Sequence, residues 1–194
     1  IATGGGLHRF DGHHMQVFLP DEQDSTTLPS ADITALALQD DVLWVGTADA
    51  GLLRFDRRTH QHIRYKHEPT DLRALDGDRV TWLLVDRQDR LFVGTTFGSI
   101  CLYRPETDDF DRITFPRHPD HFVDRTRTRT HAMVQDVDHD DTYWITTAQG
   151  LLKLSAATWE MRFLLMPETI ATKALDKRSN SLRGLVQCPN GHLL

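Results

Sequence analysis

The chain has 194 residues, of which 39% are hydrophobic and 26% are charged, a composition typical of a globular domain with a sizeable core. Its net charge of −6 disfavours general nucleic-acid binding, which normally leaves a basic footprint. The sequence has no apolar run as long as a membrane span, and its two cysteines, Cys101 and Cys188, are too few for a disulfide framework, so reduced thiols and a single bridge both stay open.

A short motif with an aromatic residue recurs along the chain. It reads LWVGT at 43–47, LFVGT at 91–95 and, in a less regular copy, YWITT at 143–147. The residue after the aromatic, counted from Ile1 in the opening IATGGG, recurs after 44, 48 and 52 residues. Repeats of this period predict either a propeller or a helical solenoid. Because the chain opens and closes inside the motif, both termini are expected to be cuts through a larger protein.

Each repeat contains four short runs of strand-like sequence. An apolar run comes first, the aromatic motif second, a run after a Gly-containing turn third, and an amphipathic run last. Asp, Gly, Asn, Pro and Thr separate the runs, as they separate strands. In chain order the runs predict a partial blade at 1–24, blades at 31–66, 78–115 and 130–166, and the start of a further blade at 180–194. Only 167–178 suits a short helical turn.

The predicted fold class is therefore all-β. Four strands in roughly 48 residues form one blade of a β-propeller. The sequence predicts a β-propeller segment of four-stranded antiparallel blades, three complete and two partial. Such a segment leaves apolar faces on its outer blades. We expect another chain to cover these faces, or the N- and C-terminal part-blades to pair with each other, so self-association is predicted.

The motif residues have separate expected roles in the second strand and the turn after it. The aromatic residue fills the space between neighbouring sheets, the glycine admits a neighbouring backbone or a bulge, and the threonine ties the following turn. A second glycine supplies the positive φ of that turn. These positions are Trp44, Phe92 and Trp144; Gly46 and Gly94; Thr47, Thr95 and Thr147; and Gly51, Gly98 and Gly150.

The sequence resembles the two-component regulator propeller repeat family. The likeness is strongest in ITALALQDDVLWVGTADAGLLRFDRRTHQHIRYKHEPTDLRAL, with its apolar strand, acidic turn, aromatic-Val-Gly-Thr motif and closing Tyr. The segment YKHEPTDLRALDGDRV is similar to the linker between blades of that family. YWITT lacks the motif glycine, and 116–130 departs from the linker pattern.

The resemblance implies a periplasmic sensor region, the extracytoplasmic part of an inner-membrane protein. It implies a parent with seven blades, or two such propellers, joined through a membrane helix to a histidine kinase or a diguanylate cyclase. It also implies a glycan or another small molecule as ligand. This segment itself is expected to be non-catalytic and to need no cofactor, metal or nucleic acid.

Ligand contacts are expected on the face that carries the turns between second and third strands. Asp49, Phe97 and Gln149 occupy equivalent positions in these turns. Arg79 and Arg127 are residues of the segments between blades. These five residues are the predicted ligand-binding residues.

Three further patterns have a structural explanation as well as a functional one. DVDHDD at 136–141 spaces carboxylates as a calcium loop does, but lacks the central Gly and has Thr147 where a bidentate Glu belongs, so a structural turn is favoured. DRTRTRTH at 124–131 places Arg125, Arg127 and Arg129 on one side of an extended chain, which suits an anionic ligand or a solvated loop. The histidine pairs fall in outer hairpins and favour no metal site.

Two rival functions stay open at this point. A lyase or a metal- or quinone-dependent dehydrogenase on the same scaffold would need converging carboxylates or histidines on the inner strands. A protein-docking propeller would need no small ligand. The inner strands offer Thr34, Thr81, Gln135 and Gln187, and little that titrates.

Overall fold

The computed structural model describes residues 1–21, 23–24, 27–97, 99–115, 129–147 and 150–164. Within these residues the chain forms fifteen β-strands. No helix in this part of the chain has the length and apolarity required to cross a bilayer. The predicted helical turn at 167–178 and the predicted further blade at 180–194 lie outside the described residues.

The strands form four antiparallel sheets, each made of consecutive strands. The N-terminal sheet contains β1 (Ala2–Thr3), β2 (Gly6–Phe10) and β3 (Met15–Phe18). The first blade contains β4 (Ile33–Gln39), β5 (Val42–Thr47), β6 (Leu52–Asp56) and β7 (His62–Tyr65). The second blade contains β8 (Val80–Val85), β9 (Leu91–Thr95), β10 (Ser99–Arg104) and β11 (Asp109–Thr114). The third blade contains β12 (Thr130–Gln135), β13 (Thr142–Thr147), β14 (Gly150–Ser155) and β15 (Glu160–Leu164).

The predicted fold class is confirmed: the chain is a β-propeller segment of four-stranded antiparallel blades. It divides into two compact units, residues 1–95 with 100–112, and residues 96–99 with 113–194. The first unit holds the N-terminal sheet and the first two blades, and the second unit holds the third blade.

Two apolar cores hold the first unit together, one on each face of the first blade. Val45, Leu53 and Phe55 of this blade meet Leu7 of the N-terminal sheet. On the opposite face, Trp44 and Leu52 meet a cluster from the second blade and its linker, which contains Leu75, Val80, Leu91, Val93, Cys101, Tyr103 and Phe110. Successive residues of β5 thus serve opposite faces, as the period of a strand requires.

The motif glycines make room for side chains, that of a residue in the next blade at Gly46 and that of the cross-strand partner at Gly94. A Cβ at Gly46 would lie 2.6 Å from Cγ1 of Val80 in the next blade, and a Cβ at Gly94 would lie 2.1 Å from Nε1 of Trp82. The expected close neighbour is therefore a side chain and not a backbone. The β-bulge lies in the strand opposite, between Ile33 and Ala35 in the first blade and at the equivalent place in the other two.

The third blade has this bulge without the motif glycine. Thr146 occupies the glycine position and contacts the carbonyl oxygen of Ala132 at 3.5 Å. Tyr143 is 0% exposed, and Trp144, on the face of its strand that corresponds to that of Trp44, is partly buried. The sheet that this face is predicted to meet lies outside the described residues, so the predicted role of Trp144 stays a prediction. Nε1 of Trp144 donates to Asp136 Oδ2 at 2.7 Å, much as Nε1 of Trp44 donates to Gln39 Oε1 at 2.7 Å.

The stability of the second blade should depend on the space that Gly94 leaves beside Trp82, more than on the backbone freedom of Gly94 in β9. We expect Gly94→Ala to lower the free energy of unfolding by about 1–3 kcal/mol, because the added methyl overlaps the Trp82 ring. Gly5→Ala is the control, since the nearest atom to its Cβ lies 3.7 Å away. Urea unfolding followed by tryptophan fluorescence measures both. Equal effects at the two positions would contradict the overlap argument.

Candidate functional site: the exposed turns at the ends of the second strands

The turn between β5 and β6 presents Asp49 to solvent. The hydroxyl of Thr47 accepts a hydrogen bond from the Ala50 amide at 2.9 Å and donates to the Gly51 carbonyl at 2.8 Å. Gly51 has φ +83, and a Cβ there would lie 2.1 Å from the Tyr65 carbonyl oxygen. The predicted roles of the motif threonine and the second glycine are thus observed, and they hold the turn in one conformation.

The same turn is fastened to the entrances of two blades. The Ala48 amide donates to the Asp32 carbonyl at 3.0 Å, and the Gly51 amide donates to the Asp78 carbonyl at 2.9 Å. Asp49 is therefore an exposed residue on a rigid support, and it lies one hydrogen bond away from the segment that carries Arg79. Arg79 is exposed as well.

Phe97 lies in the equivalent turn of the second blade, between β9 and β10. Its side chain is 49% exposed, unusual for so large an apolar group. The other two predicted residues, Gln149 and Arg127, lie outside the described residues. Among the predicted contacts, Asp49 and Arg79 are the pair that the structure places on neighbouring segments.

Strand register identifies Arg129 as the counterpart of Arg79. Val80 pairs with the motif threonine Thr95, and Thr130 pairs with Thr147. The residue before each of these strands is an exposed arginine, Arg79 in one blade and Arg129 in the other. The sequence prediction selected Arg127, because without the register the three alternate arginines of 124–131 could not be distinguished.

The carboxylates of 136–141 cap a turn, as the structural explanation predicted. Oδ1 of Asp136 accepts hydrogen bonds from the amides of Asp138 and His139 at 2.9 and 3.0 Å. Oδ2 accepts the indole hydrogen bond of Trp144. Both oxygens of this buried carboxylate are thus used within the hairpin. Among the described residues, no group of three His, Cys, Asp or Glu side chains is placed to hold a metal ion.

A cluster of titratable groups with shifted pKa values lies between the first and second blades. The hydroxyls of Tyr65 and Tyr103 donate to Oδ1 of Asp108 at 2.5 and 2.6 Å, and Arg54 lies 3.8 Å from the same oxygen. Tyr65 also packs edge-on against Tyr103 and Phe110, with ring centroids 6.0 and 5.3 Å apart.

This cluster has structural causes for its pKa changes. Burial, reinforced by the hydrogen bond to Asp108, raises the pKa of Tyr65 and that of Tyr103. Burial opposes the charge of Asp108, but the two hydroxyl hydrogen bonds outweigh it and hold the pKa of that carboxyl below its usual value. Each partner belongs to a contact between blades, so the cluster joins the first blade to the second.

Comparison with solved structures finds the same fold in extracellular domains of two bacterial proteins. The extracellular domain of BT3049 from B. thetaiotaomicron, assigned to a hybrid two component system, has a TM-score of 0.75 at 21% identity, with 99% of this chain and 25% of that chain covered. The extracellular domain of BT4673 from the same organism has a TM-score of 0.72 at 22% identity, with 99% and 22% covered. At these identities the likeness shows the fold.

One curated relative gives a sequence match. Histidine kinase P4 of Formosa agariphila is 30% identical over 79 residues, which are 41% of this chain and 6% of the kinase. No protein-family model matches the chain. The chain spans a quarter or less of the length of each of these three proteins.

The tyrosine cluster predicts a loss of stability at alkaline pH. Above pH ~10 the tyrosines of the unfolded chain lose their protons, whereas a tyrosine whose pKa is raised by folding keeps its proton. The folded state then binds more protons, so the free energy of unfolding falls as the pH rises above ~10. We expect Tyr65→Phe to reduce this fall and to cost about 1 kcal/mol at neutral pH, measured by denaturant unfolding across the pH range.

Asp108→Asn supplies the matched background for this measurement. If the Tyr65 hydroxyl acts through Asp108, Tyr65→Phe should cost less in that background than in the unaltered chain, because the charged acceptor is already gone. An identical cost in both backgrounds would contradict the assignment.

Proposed function

We propose that the chain is a non-catalytic, ligand-sensing β-propeller segment of a bacterial two-component signalling protein, such as a hybrid sensor histidine kinase. We place it in the two-component regulator propeller repeat family. In this proposal it lies in the periplasm, as the extracytoplasmic part of an inner-membrane protein whose output module lies elsewhere in the parent. The histidine kinase or diguanylate cyclase activity would belong to that module.

One observation carries the proposal: nearly the whole chain, 99% of it, superposes on extracellular domains of hybrid two component systems. The sequence match to a histidine kinase supports the same assignment from an independent comparison. The repeated motif supports the family, since the Trp44–Gly46–Thr47 positions are used in the structure for packing and for the turn.

The proposed ligand is a glycan or another small extracytoplasmic molecule, bound at Asp49, Phe97, Gln149, Arg79 and Arg127. An exposed aromatic ring suits stacking against a sugar face. A carboxylate accepts hydrogen bonds from sugar hydroxyls, and an arginine binds the carboxylate or sulfate of an acidic sugar through two parallel hydrogen bonds. The register adds Arg129 to this set, as the counterpart of Arg79.

Signalling would follow from a shift between two arrangements of blades or chains, one of which binds the ligand better. Asp49 and Arg79 suit such a role because the Gly51–Asp78 hydrogen bond joins the two segments that carry them. A ligand that contacts both residues would favour one relative position of the turn and the next blade.

Binding assays with defined oligosaccharides test this site. A glycan array followed by isothermal titration calorimetry should find a ligand, and Asp49→Ala or Arg79→Ala should weaken it by about tenfold or more, since a lost charge-assisted hydrogen bond costs about 1.5–3 kcal/mol. Arg57→Ala, on the outer hairpin of the same blade, should leave affinity unchanged. Arg129→Ala and Arg127→Ala in parallel show which of the two arginines contacts the ligand.

The rival functions give different results in the same assays. A propeller enzyme would convert the oligosaccharide, which chromatography of the mixture detects. A docking propeller would retain a protein in pull-down and bind no glycan. Either result, with a folded chain, would overturn the proposed sensing function.

A further inference from the structure

The interface between the N-terminal sheet and the first blade contains an open cavity of about 500 Å³, inside the first unit. Five of its lining residues are apolar, among them Phe18, Leu28 and Phe55, and five are polar, among them His60 and His62. The walls come from β3, from the segment that follows β3 and from the first blade, and neither β1 nor β2 contributes. The cavity lies at the end of β6 that is farther from the β5–β6 turn, so it is separate from the proposed glycan site.

The interface between the first and second blades is built in the same way and shows which residues correspond. The amide of His60 donates to the Asp56 carbonyl at 2.9 Å, and the amide of Asp108 donates to the Arg104 carbonyl at 2.9 Å. His60 and Asp108 also share a positive φ, 61° and 57°. The β6–β7 and β10–β11 hairpins therefore correspond residue by residue.

Counted from this hairpin, His62 has the place that Phe110 holds in the second blade. Phe110 is 1% exposed and packs against Tyr65 and Tyr103, with ring centroids 5.3 and 5.6 Å apart. His62 is only partly buried and lines the cavity. An aromatic ring thus fills this place in one interface, and the cavity lies there in the other.

The aromatic surroundings of that place are present in the first interface as well. Phe18 and Phe55 have the places of Tyr65 and Tyr103, as the strand pairing and the hairpin count show. The ring of Phe18 lies edge-on to those of Phe55 and His60, with centroids 5.5 and 5.1 Å apart. A further ring beside His62 would therefore meet aromatic walls that are already packed, in a contact that aromatic rings favour.

The polar residues of the cavity favour a neutral ring that carries a hydrogen-bond donor. The ten residues that line the cavity include no carboxylate, lysine or arginine, and Thr27, Thr59 and Gln61 bring hydroxyl and amide groups to it. Burial, and then the charge of Arg64, lower the pKa of His62, so its imidazole is neutral at neutral pH and offers a nitrogen that accepts a hydrogen bond. The volume falls within the range of small-molecule sites.

We propose that this cavity binds a small, neutral aromatic molecule that carries a hydroxyl group, that is, a phenol. The ring would lie in the place that Phe110 fills in the next interface, against Phe18 and Phe55, and the hydroxyl would donate to the imidazole of His62. Because the molecule would contact both the N-terminal sheet and the first blade, its binding would stabilise their packing. The site goes beyond the proposed sensing of a glycan, since it uses other residues at the other end of the blade.

Titration with para-cresol, followed by the NMR shifts of backbone amides, tests the site. His62→Phe should weaken binding by about tenfold or more, because it places in the cavity the ring that Phe110 places in the next interface. The variant fills a cavity, so it should not lower the stability of the chain. Ile63→Phe is the matched control: it adds the same ring to the next residue of β7, outside the cavity lining, and should leave the affinity unchanged.

Two analogues of para-cresol test the chemistry of the ligand. Its methyl ether has no proton to donate and should bind about two- to tenfold more weakly, as the loss of one neutral hydrogen bond predicts. Its saturated analogue, a methylcyclohexanol, keeps the hydroxyl but has no aromatic ring and should also bind more weakly. Equal binding of the saturated analogue would overturn the assignment of an aromatic ligand.

Intermolecular nuclear Overhauser effects locate the molecule in the unaltered chain. Contacts from para-cresol to the ring protons of Phe18 and Phe55 are the expected result, and they decide the matter if His62→Phe does not fold. No binding by the folded chain, contacts to other residues only, or binding that a folded His62→Phe chain retains would each overturn the proposal. None of these measurements involves a glycan, so this site and the proposed sensing function can fail separately.

Discussion

The structure depends on apolar sheets that pack face to face and must be covered on both sides. The first blade illustrates the constraint, because Trp44 and Val45, consecutive in β5, belong to different cores. A strand buried on both faces cannot alternate apolar and polar residues, and so the motif reads as continuous apolar sequence. The glycine beside Trp44 follows from the same constraint, since a neighbouring valine occupies the volume that its side chain would need.

This packing separates the residues that build the blade from those that are free to vary. In the β5–β6 turn, Thr47 and Gly51 are fixed by hydrogen bonding and φ, and Ala48 and Ala50 are buried. Asp49 alone of these residues is exposed and has no part in the packing. Phe97, two residues after the motif threonine of the next blade, takes the same place in the sequence with a very different side chain.

The sequence alone was sufficient to predict the strands, because their pattern is local and recurs in each repeat. The strands lie where the runs predicted them, because a short apolar run with turn residues on either side has few other ways to fold. The contacts of Tyr65 could not be predicted, since its partner Asp108 is 43 residues away and depends on how two blades meet. Arg129 needed the bulged register, which shifts the pairing by one residue at a position that the sequence does not mark.

The hydrogen bonds around Asp78 give the proposed sensing function a physical route. The carbonyl of Asp78 accepts from the Gly51 amide, and its carboxylate accepts from the His67 amide at 2.8 Å. One residue thus joins the turn of the first blade, the linker and the entrance of the second blade. Since the Thr34 hydroxyl also donates to the Val80 carbonyl at 2.8 Å, the two inner strands are tied at the same level. A ligand that moved Asp49 relative to Arg79 would have to strain these bonds, so its binding energy would be coupled to the relative position of the two blades and not spent within one flexible loop.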